Sequence, residues 1–293
     1  MNNCRVVEIK TPKKYLLSGL YFGSAKAKNV FIFLHGLGGN VFSLIDLAAS
    51  LADSNTAVIT FNNRGHDTIS RVRRENKRAL RGYDAYTTGM AHEVFTDCLD
   101  DIDGAVNLAL QSKPKNIFLV GHSTGCQKSI YYLAKRPKSL VSGAVLLAPM
   151  SDYADMYDQT DKKKYNKLVV LAKKMISQGR GSELMPANLW PVPLDAQRFI
   201  SLFVPESVEE IFSYASGKQP DILRRSKKPL LVVLAGEDEY RDRPIAEIAT
   251  WFEGLHENRI SVRVIDRAIH NFHGYRLQVK KLIKDWSSGR LSK

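Results

Sequence analysis

Gly121-His122-Ser123-Thr124-Gly125 reads as a serine held on a tight turn between a strand and a helix. The run before it, Asn116-Ile117-Phe118-Leu119-Val120, is short, apolar and partly β-branched, as a strand buried on both faces should be. The run after it, residues 127–135, has helix-compatible composition and stops at Arg136-Pro137. Between the two, Ser123 must take a strained backbone conformation that pushes its hydroxyl out of the turn. Only residues without a bulky Cβ fit against the neighbouring backbone, and Gly121 and Gly125 stand at those two positions. The stretch therefore predicts an α/β fold with Ser123 as a nucleophile.

Working outward, apolar strand-like runs alternate with helix-like runs along the whole chain, the pattern of a mostly parallel sheet with helices on both faces. Strands are expected at 6–10, 16–22, 30–34, 57–61, 117–120, 143–147, 230–234 and 261–265. The third to eighth form the parallel core and the first two an antiparallel edge hairpin, eight strands in all. Helices fit at 44–52, 95–110, 127–135, 245–255 and 275–286. The rhythm breaks once, between Pro149 and Lys228, far longer than an ordinary crossover. In this stretch Leu168, Leu171, Ala172, Met175 and Ile176 mark an amphipathic helix ending at Gly179, Asp195 caps a second, and Pro205-Glu206 opens a third. Residues 1–148 and 229–293 read as the core. Residues 149–228 read as a helical cap inserted after the sixth strand, over the strand ends where open α/β sheets bind ligands; an extra packing layer is the alternative.

The 293 residues carry enough apolar side chains for a sizeable core. The opening residues lack the apolar stretch of a secretory signal and no run approaches a membrane span, so the expectation is a cytoplasmic protein without membrane insertion. Three cysteines, Cys4, Cys98 and Cys126, have no metal-ligand spacing and fit a reducing compartment. The net charge of +13 is concentrated: residues 64–81 hold seven Lys/Arg against two acids, and residues 259–293 nine against two. Residues 151–228 are nearly balanced, with 13 basic and 10 acidic. A basic face attracts nucleic acid, anionic membrane or an anionic substrate, or simply solubilises the surface. No nucleic-acid motif accompanies the charge, so no nucleic-acid partner is expected. Because 71–78 follows the fourth strand, it should emerge on the same side of the sheet as Ser123 and could steer an anionic ester.

A serine hydroxyl needs a base within hydrogen-bond reach, itself oriented by a third group. Of seven histidines, His270 stands just past the last core strand, where the base belongs; His273 is the competitor. His35 and His66 sit in glycine-containing loops, and His92 and His256 read as surface or helix residues. The orienting acid should follow the preceding core strand, which selects Asp238 in Gly236-Glu237-Asp238-Glu239, with Asp152 as the alternative. The order Ser123, Asp238, His270 suits this architecture. Charge developing on the substrate oxygen requires aimed N–H donors. The Thr124 amide, at the helix start, is one. Leu37, in His35-Gly36-Leu37-Gly38-Gly39, supplies the other. This chemistry requires no metal and no organic cofactor.

These residues, with Arg64-Gly65 after the fourth strand, resemble the α/β-hydrolase family from about residue 10 onward. Relatives commonly carry aspartate where Asn62 stands and glycine where Asp67 stands. Ser123-Thr124-Gly125-Cys126-Gln127, with 181–186 in the insertion, resembles a branch that includes siderophore esterases. The resemblance implies a serine esterase acting on a small-molecule carboxylic ester. Thioesterase or acyltransferase chemistry on the same triad, or a non-catalytic binder, are the alternatives.

Overall fold

Strands that are wet on neither face belong in the middle of a sheet, and here every residue of β3 (Asn29–Leu34), β4 (Thr56–Phe61) and β9 (Leu230–Ala235) is buried. The computed structural model describes residues 4–255 and 258–291. With β1 (Cys4–Lys10), β2 (Tyr15–Phe22), β5 (Ser70–Glu75), β6 (Tyr83–Thr88), β7 (Asn116–His122), β8 (Val141–Leu147) and β10 (Ile260–Ile265) these form one ten-stranded sheet. The six expected core strands run parallel in the order β4-β3-β7-β8-β9-β10. Alternate residues of these strands enter two separate cores. Ile32, Leu119, Leu146 and Val232 pack on one face with α2 (Cys98–Leu110), α3 (Thr124–Lys135) and the helix Ile245–Glu253. Phe31, Phe118, Val145 and Leu231 pack on the other with α1 (Ile45–Leu51) and the helix Arg276–Leu291.

The strand count is ten rather than eight. The difference is the antiparallel hairpin β5–β6, formed by the basic stretch and by Tyr83–Thr88. Its charged side chains hide a strand alternation in which Val72 alone turns inward among Arg71, Arg73 and Arg74. The hairpin joins β2 where Tyr15 and Leu16 pair with Arg74 and Arg73. β2 is no simple edge hairpin with β1: it also pairs antiparallel with β4.

Between β8 and β9 the chain forms α4 (Asp152–Gln159), α5 (Lys162–Ser177), α6 (Ala196–Phe203) and the short α7 (Asp221–Arg225); the two later helices are α8 (Ile245–Glu253) and α9 (Arg276–Leu291). α5 ends as its sequence demands: Gly179 adopts φ 74, its N–H donates to the Ile176 carbonyl, and the Arg180 N–H donates to that of Met175. The Asp195 carboxylate caps α6 by accepting from the Arg198 N–H at 2.7 Å. Pro205-Glu206 does not open a helix. Residues Glu209 to Ser213 are all buried, which a one-faced helix at this surface cannot satisfy. Met156, Tyr165, Leu168, Met175, Phe199 and Leu202 give the insertion a small core of its own.

Candidate active site

β7 lies at the centre of the parallel strands, and Ser123 follows it directly at φ 53, ψ −128, ahead of the first residue of α3. Non-glycine residues rarely adopt this conformation, and here it is over-determined by neighbours. The Ser123 N–H donates to the Leu147 carbonyl at 3.0 Å and its carbonyl accepts from the Cys126 N–H at 2.8 Å. A Cβ on Gly121 would overlap the Gly125 carbonyl, and one on Gly125 the Leu34 carbonyl. A Cβ on Gly36 would lie 2.7 Å from the Ser123 Cβ, so the glycine loop after β3 passes against the serine. Cys126 is buried, its thiol near the Gly121 and Leu147 carbonyls; it is a packing residue.

His270 and Asp238 come together as their strand register predicts. His270 Nδ1–H donates to Asp238 Oδ2 at 2.8 Å, and Asp238 is fully buried. Asp238 Oδ1 also accepts from the Tyr240 N–H at 3.0 Å. Glu239 Oε2 accepts the His270 backbone N–H at 2.9 Å. The imidazole is held by the ring of Tyr240 at 4.7 Å and that of His122 at 4.9 Å. His122 Nε2–H donates to the His270 carbonyl at 2.9 Å, and burial, with His270 adding, lowers the His122 pKa to about 4, so this clamp is neutral near pH 7. No local sequence signal marks His122 for this role, since its partner is 148 residues away. Ser123 and His270 line one cleft of about 730 Å³ with Leu37, Asp155, Trp190 and Tyr240. They are not hydrogen-bonded to each other in this arrangement, a contact that often tightens only with substrate bound.

The competitors are engaged elsewhere. Asp152 Oδ2 accepts from Gln127 Nε2 at 2.9 Å, and burial, with Glu209 adding, pushes its carboxyl well above the usual range. His273 is exposed, its N–H held by Asn271 Oδ1. His35 is buried, donates through Nδ1 to the Gly36 carbonyl at 2.9 Å and is lowered to about 3 by burial with Lys128 adding. His66 Nδ1 pairs with the Asn63 carbonyl. His92 is no free surface residue: its Nδ1 lies 3.0 Å from Oδ2 of Asp195, the α6 cap. His256 lies outside the described residues. Among the described residues, the Leu37 and Thr124 N–H groups have no backbone or side-chain acceptor, and Thr124 stands at the positive end of α3.

Two buried charge clusters frame the site. Arg64 pairs with Asp100 and Asp101 at 3.0 and 2.7 Å and lies 4.3 Å over the Tyr15 ring, so the Arg64-Gly65 motif is structural. Beyond it, Lys128 Nζ on α3 lies 2.6 Å from Glu93 Oε1, while Arg198 Nη2 reaches Glu93 Oε2 at 2.8 Å and Glu209 Oε1 at 3.1 Å. All four are buried. Burial alone would raise the Glu93 pKa, but Lys128 and Arg198 hold it down to about 2. A Cβ on Gly65 would overlap the Glu93 carboxylate, which accounts for the glycine. This cluster ties the helix that follows Ser123 to α6 of the insertion.

The basic strip emerges on the same side as Ser123 but well to one edge, and none of residues 64–81 lines the cleft. Arg73 pairs with Glu8 at 3.1 Å, and Arg74 Nε donates to the Lys13 carbonyl. The charged groups of the cleft come from elsewhere: Arg276, which pairs with Asp46, and the carboxyls of Asp152 and Asp155, the latter raised to about 6 by burial with Asp238 and Asp242 adding. An anionic substrate steered by this strip is therefore not what the geometry favours. The departures from the common pattern are explained here too. Asp67 occupies φ 53, where glycine is usual, and its Oδ1 accepts from Asn40 Nδ2 at 2.8 Å. Asn62 Oδ1 accepts the Val41 N–H at 2.6 Å.

Residues 81–288 match the family model described as a protein of unknown function, DUF1749. The chain belongs to this family. Its fold is the α/β-hydrolase fold, shared with solved structures across nearly their full lengths. The siderophore hydrolase EstB from Aspergillus fumigatus superimposes with a TM-score of 0.67 at 17% identity, covering 98% of both chains. Est1E from Butyrivibrio proteoclasticus, solved with ferulic acid bound, gives 0.63 at 13% identity over 98% of this chain and 100% of that one. The Pyrococcus furiosus esterase Pf2001 gives 0.59 at 18%, covering 97% and 91%. A UPF0613 protein of Schizosaccharomyces pombe is 33% identical over 107 residues, so the match spans about a third, 34%, of each chain.

Proposed function

We propose that this protein is a serine hydrolase that cleaves carboxylic esters through an acyl-enzyme. One observation carries the reading: a strained serine at a strand-to-helix elbow faces the same cleft as a histidine whose Nδ1 is held by a fully buried aspartate. Ser123 Oγ attacks the ester carbonyl while its proton passes to His270 Nε2. The Leu37 and Thr124 amides receive the developing oxyanion. Collapse expels the alcohol, which takes the proton from His270; water then attacks the acyl-serine with His270 as base, releasing the acid and restoring Ser123. Asp238 keeps the proton of His270 on Nδ1 and supports the imidazolium that forms. The helices between β8 and β9 act as a cap, supported by Met156, Trp190, Leu194 and Phe203 lining one side of the cleft. That apolar lining, with the carboxyls of Asp152 and Asp155 beside Met156 on α4, suits a neutral and partly apolar ester.

A fluorophosphonate should label the protein at Ser123, and short-chain aryl esters should be turned over faster than the matching acyl-thioesters. Faster thioester turnover would make it a thioesterase. Absence of both labelling and turnover in folded protein would leave a ligand-binding member of the fold.

A further inference from the structure

The near-balance of charge in the insertion conceals an uneven placement. Half of its ten carboxyls are turned inward, since Asp195, Glu209 and Glu210 are buried and Asp152 and Asp155 line the cleft; the exposed half, Asp158, Asp161, Glu183, Glu206 and Asp221, is scattered over several segments. Six of its nine lysines are on α5. Lys162, Lys163, Lys164, Lys167, Lys173 and Lys174 are all exposed, and among the described residues none of the six has a carboxylate within ion-pair distance. Asp161, the one acid at this helix, caps it by accepting the Lys164 N–H. Spacings of three, four and seven place Lys163, Lys167, Val170 and Lys174 on one face, opposite the buried Tyr165, Leu168, Ala172 and Met175. Val170, 66% exposed, stands at the centre of that lysine face. Beside it runs a groove of about 470 Å³ with an apolar floor of Leu168, Leu171 and Leu189 and a rim of Lys163, Lys164 and Lys167, with the capping Asp161 at its end. Leu189 is next in sequence to Trp190, which lines the candidate catalytic cleft, so groove and cleft adjoin through one segment.

We propose that the outward face of α5, with its lysine-rimmed groove, docks the protein on an anionic lipid bilayer. The apolar side of α5 is already spent on the insertion's own core, so docking rests on charge. Lys162 Nζ is taken up by the carbonyl and ring of Tyr157. The other five ammonium groups, along a helix about 24 Å long, complement a uniformly negative surface better than the scattered carboxylates of a folded partner. Lysine stems lie along apolar surface while their heads reach phosphate, and Val170 and Leu189 enter the headgroup layer between them. Among the described residues no helix is long and apolar enough to cross a membrane, so attachment is peripheral. The cleft mouth then sits beside the bilayer. This surface is independent of the proposed hydrolase reading, and its test needs no turnover.

The test is co-sedimentation of the whole protein with phosphatidylcholine vesicles and with vesicles in which a quarter of the lipid is phosphatidylserine. Binding is expected only to the anionic vesicles and should fall steeply between low and physiological salt. The triple variant Lys163→Gln, Lys167→Gln, Lys174→Gln should weaken partitioning about a hundredfold, given roughly fivefold per lysine. The triple variant Arg71→Gln, Arg73→Gln, Arg74→Gln removes as much charge from the β5 hairpin and should leave partitioning within about threefold. Circular dichroism checks that both remain folded. Equal losses in the two triples would reduce the effect to net charge and overturn the proposal. So would failure to bind anionic vesicles, or tighter binding to soluble poly-glutamate than to phosphatidylserine, which would point to an acidic protein partner.

Discussion

The sheet core and the insertion are held together by opposite means. Around β3, β7 and β9 the chain buries unbroken apolar runs on both faces, and no side-chain charge enters the strands themselves. The insertion has its own small apolar core and sends Ile211, Phe212 and Leu223 into the sheet core, but its helix α6 is tied to α3 through Lys128, Glu93, Arg198 and Glu209, all buried. Apolar burial tolerates small misfits and builds a rigid platform. A buried ion cluster tolerates the loss of no partner, because one removed charge strands the others. The candidate catalytic geometry is thus built on the forgiving part, and α6, beside the cleft, is tied down by the exacting part.

The largest expected effects fall on the platform side. Ser123→Ala and His270→Ala should each lower ester turnover by about 10³ to 10⁶, and the double variant should be hardly worse than either, because the residues act as a unit. Asp238→Asn should cost about 10⁴ in kcat by favouring the wrong tautomer of His270. Asp152→Asn and His273→Ala should do far less. None of these should shift the unfolding midpoint by more than a few degrees. A large kcat loss at Asp152 with Asp238→Asn nearly silent would move the acid to the loop after β8.

The platform and its residues were legible because their determinants are local. A run such as Leu230–Ala235 can only be a buried strand; Asp238 follows it by three residues and His270 follows its parallel neighbour β10 by five, so register alone brings them together. The cluster beside them was not legible. Nothing local in the sequence marks Glu93, Lys128, Arg198 and Glu209 as partners, and only folding across 105 residues of sequence pairs Glu93 with Arg198. The β5–β6 hairpin was missed because Arg71, Arg73 and Arg74 masked the alternation around Val72. The supposed helix at Pro205 failed for a similar reason: Glu209 and Glu210 look like solvent residues but are anchored inward, on Arg198 and on Ser151.

The next effect tests the exacting side of the comparison. Arg198→Met keeps much of the side-chain volume but leaves Glu209 with Ser201 Oγ as its remaining polar side-chain partner and Glu93 with Lys128 alone. Unfolding free energy should fall by about 3–5 kcal/mol. Adding Glu209→Gln should restore part of that, since the stranded charge is then gone; this is read by urea denaturation of both variants. If Arg198→Met is silent, the insertion is held by its apolar contacts and the contrast with the core disappears.

The smallest effect lies at Asp67, where the core departs from the common pattern. A non-glycine residue at φ 53 costs conformational energy that glycine would not, about 1 kcal/mol for an aspartate, which tolerates this region better than most residues. Against this, the Asp67 carboxylate accepts from Asn40 Nδ2, a half-buried contact between the loops after β3 and β4, and such a bond contributes about 0.5–1.5 kcal/mol. Glycine also adds freedom to the unfolded chain, which favours unfolding. The terms nearly cancel, so Asp67→Gly should change stability by less than about 1 kcal/mol. Asn40→Ala should lose more, because it removes the same bond without relieving the backbone, and it also frees the Phe42 N–H that Asn40 Oδ1 accepts. Denaturation midpoints of the two variants, compared with the double variant, separate backbone strain from the hydrogen bond. A gain of more than 1 kcal/mol in Asp67→Gly would mean that strain outweighs the bond, and that the forgiving half of the molecule holds Asp67, as well as Ser123, against its preference.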